Sequence, residues 1–192
     1  FLKNKTTYGG AFSNYTIDKN KTQKVRDWEI EWLSQWVREY GIDGFRVDTA
    51  KHVEASAWAQ LKNSTDAALK AWRVANPTAA GANWTQDFWM TAEVFDHGMS
   101  GYDGNYHGTG KFDSILNFGF MGVPGSDFGS INNTYASYAS AMNANKTDKW
   151  NYLSFFNNHD KGSVFFNGDQ GRQVKAGTAL LLAPGGVQIY YG

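Results

Sequence analysis

Short strand-like segments alternate along this 192-residue chain with stretches whose apolar residues recur every three or four positions, and that alternation restricts the fold more than any other feature. IDGFRVD (42–48), DFWMTAEV (87–94), FDSILNF (112–118), NYLSFFNNHD (151–160) and VQIYYG (187–192) read as strands. Between Thr22 as N-cap and Gly41 as the residue past the end, Val25, Trp28, Trp32, Leu33, Trp36, Val37 and Tyr40 form one aromatic helix face. A second helix from about Glu54 to Ala75 rests on Trp58, Leu61, Leu69 and Trp72, and stops before Asn76-Pro77. A weaker helix lies around Tyr135, Tyr138, Ala139 and Met142, and a last one runs from Gln170 to Ala183 on Val174, Leu181 and Leu182. Strands separated by helices pair in parallel, so the expected fold class is α/β with helical crossovers.

Period two sends Phe45 and Val47 to one face of the first strand, packed beneath helices, and Arg46 and Asp48 to the other. Asp48, Glu93 and Asp160 each close a different strand, and a parallel sheet gathers such ends at the edge where ligands bind. Paired carboxyls are the tools of glycoside hydrolysis; in the retaining form one is nucleophile and the other acid then base, about 5–5.5 Å apart. Arg46 beside Asp48 would hold it ionised for attack, whereas Glu93, following Trp89, Met90, Thr91 and Ala92, sits where a carboxyl keeps its proton. Each residue alone also has a plainer reading. Arg46 and Asp48 fit a structural ion pair, Glu93 a solvated strand end, and His159-Asp160 a turn within NNHDKG.

Other chemistries find less support. Eighteen basic residues balance eighteen acidic ones with no basic run, so nucleic acid is not an expected partner. The longest apolar stretch, TALLLAPGGVQIYYG, is broken by Pro184, Gly185 and Gly186, so no membrane partner is expected either. There is no cysteine, no H-E-x-x-H and no G-x-S-x-G. His52, His97, His107 and His159 lack the spacing of a transition-metal site. GMSGYDGNYHGTG has no following Lys-Ser/Thr and reads as a loop over the site rather than a phosphate cradle. The chain opens on Phe1 in a polar stretch, which reads as a piece of a longer protein, and Asn-x-Thr recurs at Asn4, Asn14, Asn20, Asn63, Asn83, Asn132 and Asn145 in an extracellular style.

GFRVDTAKH (44–52), AEVFDHG (92–98) and FFNNHD (155–160), in this order, resemble three of the regions that mark the α-amylase family of glycoside hydrolases, and APGGVQIYYG resembles that family's last barrel strand. The likeness is to its bacterial periplasmic or secreted members, and it runs from about residue 30 to the end. It implies a partial (β/α)8 TIM barrel, approximately strands 4 to 8 with their helices, over residues 22–192, with 1–21 the tail of an upstream inserted domain or loop. It also implies a retaining hydrolase of internal α-1,4 bonds in starch or maltooligosaccharides. Asp48 would be the nucleophile, Glu93 the acid/base and Asp160 the third carboxylate. Arg46, Lys51, His52 and His159 would bind substrate, and the backbone carbonyl of His52 would serve a structural calcium ion. The alternatives are an α-glucan transglycosylase of the same family and an inactive carbohydrate-binding fragment. Departures accompany the matches: nothing corresponds to the family's Asp-x-x-x-Asn-His motif, and Phe95 stands where many relatives have tryptophan. A whole barrel takes about 250 residues, so weak or no activity is expected of this piece alone.

Overall fold

The computed structural model describes residues 24–99, 105–125, 128–144, 152–160 and 169–190. The expected tail at 1–21, Thr22, and the Asn-x-Thr sites at Asn4, Asn14, Asn20 and Asn145 lie outside them, as do residues 100–104 of the glycine-rich loop. The described chain forms two compact units. One comprises residues up to Gly44 together with Ala57–Trp89, and the other Phe45–Ser56 together with the residues from Met90 onward.

In the first unit, helix α1 spans Val25–Tyr40 and helix α2 spans Ala55–Ala75, whose residues from Ala57 belong here. The N-cap of α1 is Lys24, so the helix starts inside the expected boundary. It ends where the sequence indicates, because Gly41 takes the left-handed conformation (φ 65°) and donates its N–H to the Val37 carbonyl at 2.8 Å. A side chain at Gly41 would be blocked: its Cβ would come within 2.4 Å of the Trp72 indole. Both the positive φ and the ring select glycine here.

Leu61, Ala68 and Leu69 supply the buried apolar face of α2, and Thr65 returns its hydroxyl to the Leu61 carbonyl at 2.9 Å. Lys62 is buried as well. Its ammonium donates to the Phe88 carbonyl and pairs with Asp66 at 3.7 Å, while Asp66 Oδ1 accepts the Phe88 N–H at 2.8 Å. Burial is the main influence on Asp66 and raises its pKa, with Lys62 opposing. This network ties α2 to the segment leading into the second strand. Past the helix, three short turns at Asn76–Ala79, Ala79–Ala82 and Gly81–Trp84 are each closed by a backbone hydrogen bond of 3.0–3.1 Å.

The second unit carries the sheet. Strands β1 (Gly44–Val47), β2 (Trp89–Ala92), β3 (Ser114–Asn117), β4 (Tyr152–Ser154) and β5 (Gly186–Val187) lie in sequence order, and the pairs from β2 to β5 are parallel. β1 joins β2 through the Glu93 N–H to the Val47 carbonyl at 2.8 Å and the Ala50 N–H to the Glu93 carbonyl at 2.9 Å. Neighbours in space that are neighbours in sequence, all running the same way, are the expected partial barrel sheet. All four residues of β3 are buried, as in a parallel strand covered on both faces. Helices α3 (Phe128–Ala144) and α4 (Gln170–Leu181) follow β3 and β4. Asp169 caps α4, its Oδ1 accepting the Arg172 N–H at 3.1 Å. Phe120, Val123, Ile131, Tyr138, Ala179, Leu180 and Ala183 form one core cluster, with Phe120 and Val123 on a 3₁₀ segment that the sequence pattern did not indicate.

The strands are shorter than their sequence patterns. β4 stops at Ser154, so the segment expected to run to Asp160 becomes loop from Phe155 onward, and β5 is two residues long rather than six. In the first case the Asn157-Asn158 pair favours a turn. α4 ends at Leu181, short of Ala183.

Candidate active site

Arg46 lies in β1 and the other candidate residues follow strands β1, β2 and β4, and the junction after β1 shows how the chain shapes them. Val47 is buried while Arg46 and Asp48 are exposed, the alternation that period two requires. Arg46 Nη1 stands 3.6 Å from Asp48 Oδ2, so the guanidinium does accompany the carboxylate. With Asp48 69% exposed, solvent screens this pair, and its value is in orientation more than in stability.

The next residue makes the sharper feature. Thr49 adopts the left-handed conformation (φ 47°, ψ 37°), a region disfavoured for a β-branched side chain by roughly 1–2 kcal/mol. Its N–H donates to Glu93 Oε2 at 2.8 Å, and the following N–H, of Ala50, donates to the Glu93 carbonyl. Glu93 is only 2% exposed, and a carboxyl withdrawn from water needs such a partner. Two successive amides after Asp48 thus hold Glu93, one by its side chain and one by its backbone. Strain at Thr49 is offset by this pairing, a pattern common at functional sites.

Lys51 and His52 follow in one 3₁₀ turn, Ala50–His52, and both are exposed. Lys51 Nζ lies 5.8 Å from the centroid of the Phe95 ring, a cation–π distance, so the phenylalanine that departs from the family pattern receives the ammonium on its ring. The His52 N–H donates to the Thr49 carbonyl at 3.0 Å. Calcium takes about six to eight oxygen ligands. Among the described residues no group of three or more acidic or histidine side chains is gathered to hold a metal ion.

His159 and Asp160 form a second group in the loop after β4. His159 Nε2 is 3.3 Å from Asp160 Oδ2, and the Asp160 N–H donates to Oδ1 of the buried Asn158 at 3.1 Å. That Asx-type contact fixes the backbone that presents Asp160. The described contacts therefore gather Arg46, Asp48 and Glu93 at the ends of adjacent strands, and pair His159 with Asp160 two strands further along the sheet. Sequence reasoning missed Thr49, because its part is played by a backbone amide. It also missed Asn158, whose signal was the Asn-Asn pair before His159.

Five strands in sequence order, with helices between them, give the chain the architecture of part of a (β/α)8 barrel. Residues 8–192 match the alpha-amylase family, described as Alpha amylase, catalytic domain, and the chain belongs to that family. It is 42% identical to the periplasmic alpha-amylase of Escherichia coli (strain K12), an alignment covering 100% of this chain and 26% of that protein. With an alpha-amylase of Streptomyces lividans the identity is 28%, covering 82% of this chain and 18% of that one. The crystal structure of an Anoxybacillus alpha-amylase shares the fold, with a TM-score of 0.60 at 20% identity, covering 88% of this chain and 35% of that chain. The chain thus spans about a quarter or less of the length of these curated relatives.

Proposed function

We propose that these residues serve a retaining α-glucan hydrolase that cleaves internal α-1,4 bonds of starch or maltooligosaccharides. The observation that supports it most is the junction at which Arg46 stands beside the exposed Asp48 while the next amide holds the buried Glu93. In this reading Asp48 attacks the anomeric carbon and forms a glycosyl ester, as Glu93 gives its proton to the departing glycosidic oxygen. Glu93 then takes a proton from the water that hydrolyses the ester, returning both carboxyls to their starting states. Asp160 and His159 hold hydroxyls of the sugar at the cleavage point, and Lys51 and His52 face the leaving-group side. The names of the relatives, both alpha-amylases and one of them periplasmic, support the substrate class and a periplasmic or secreted location. Among the described residues no helix is long and apolar enough to cross a membrane. A structural calcium, implied at the His52 carbonyl, enters this reading only as an added stabiliser, which chelation during thermal unfolding tests.

A fluorinated maltosyl fluoride, which forms the glycosyl ester but hydrolyses slowly, tests the mechanism even in a slow enzyme. Mass spectrometry is expected to find the sugar on the peptide containing Asp48, and to find none in Asp48→Asn. Labelling at another carboxyl would overturn the assignment. Products formed from maltoheptaose with and without added glucose separate hydrolysis from glycosyl transfer, because only transfer lengthens the acceptor.

A further inference from the structure

The first unit holds a pocket of about 330 Å³ lined by Asp43, Arg73, Trp84, Gln86, Asp87 and Trp89. We propose that it is a second binding site for a neutral sugar chain, separate from the residues that act on the glycosidic bond. Its volume falls at the small end of the ~300–1,000 Å³ range of small-molecule sites. Its lining shares no residue with Arg46, Asp48, Glu93, His159 or Asp160.

Two observations point to the chemistry of the ligand. Trp84 is 55% exposed and Trp89 is also exposed, and broad indole faces suit the C–H faces of a pyranose. The charges are matched in pairs, Arg73 with Asp43 at 3.7 Å and Asp87 with Lys70 at 2.9 Å, which disfavours a charged ligand of either sign. Arg73 is only 9% exposed. Its Nη1 donates to the Gln86 carbonyl at 2.6 Å, so the guanidinium is already engaged by the protein's own groups. The Gly81–Trp84 turn, closed by the Trp84 N–H to the Gly81 carbonyl at 3.0 Å, brings the Trp84 indole close to Gly81. The choice of an α-glucan as that sugar rests on the proposed function.

The test titrates maltoheptaose into the chain labelled with 5-fluorotryptophan and follows the ¹⁹F resonances of Trp84 and Trp89, assigned by single Trp→Phe variants. Both resonances are expected to shift with maltoheptaose and not with glucuronate, in the parent and equally in Asp48→Asn. Trp84→Ala, a change at an exposed position, is expected to weaken that binding at least about tenfold while Asp48 is still labelled by the fluorinated maltosyl fluoride. Maltoheptaose that leaves both resonances unmoved, or binding unchanged in Trp84→Ala, would overturn the proposal. Loss of Asp48 labelling with the Trp84 shift retained would count against the catalytic reading alone.

Discussion

The backbone N–H of Thr49 donates to Glu93 Oε2 at 2.8 Å, joining the residue after Asp48 to a carboxyl just past the neighbouring strand. The contact uses a left-handed backbone that glycine would adopt without strain. Thr49→Gly is therefore expected to keep activity and to gain up to about 1 kcal/mol of stability in denaturant unfolding. Thr49→Pro has no N–H and fixes φ near −65°. Its kcat/KM is expected to fall at least about a hundredfold, with circular dichroism confirming that the chain still folds. Equal activity in the two variants would show that the amide does not position Glu93.

Arg46 and Asp48 make an exposed pair, so removing the guanidinium should disturb function more than folding. Arg46→Gln is expected to change stability by under about 1 kcal/mol while lowering kcat/KM at least tenfold, by roughly this logic of screened pairs and positioned charges. A stability loss well above that bound, with kcat/KM unmoved, would make the pair structural.

Gly41→Ala forces a methyl group into the Trp72 indole and a left-handed φ on alanine. Adding about 1–2 kcal/mol for the backbone to about 1–3 kcal/mol for overpacking gives an expected loss of roughly 2–5 kcal/mol. Urea unfolding measures it, and a loss below about 1 kcal/mol would mean that the ring swings clear.

The ion pair of Lys70 with Asp87 sets a pH dependence. Its hydrogen bond lowers the Asp87 pKa from the ordinary 3.8 and raises that of Lys70 from 10.5. The carboxylate's contribution is present above the ordinary carboxyl pKa and lost as pH falls through the lowered one. The ammonium's contribution is present below the ordinary lysine pKa and lost as pH rises through the raised one. Asp87→Asn should accordingly be slightly less stable than the parent across the neutral range, with the two thermal unfolding curves converging at both extremes. A difference constant from acid to alkali would contradict this.

Strand identity and order were legible because period two, glycine and the helix periodicities are local properties. The strand ends were not. β4 closes after three residues and β5 after two, and in a sheet the length of a strand depends on which backbone groups its neighbours can reach. Thr49 illustrates the same limit within the site. A β-branched residue is a poor candidate for the left-handed region, and nothing near it in sequence explains why it goes there; the reason is Glu93, supplied from just past another strand.

By itself the sequence determined the α/β class, the parallel order, the exposed face shared by Arg46 and Asp48, and the family whose motifs surround Asp48, Glu93 and Asp160. These follow from spacing along one chain. Tertiary structure alone decided that Glu93 is buried under a Thr49 amide, that Lys51 rests on Phe95, and that Asp43, Arg73, Trp84 and Trp89 line one pocket. Each of these joins residues distant in sequence, and only the fold fixes which buried polar groups must find one another.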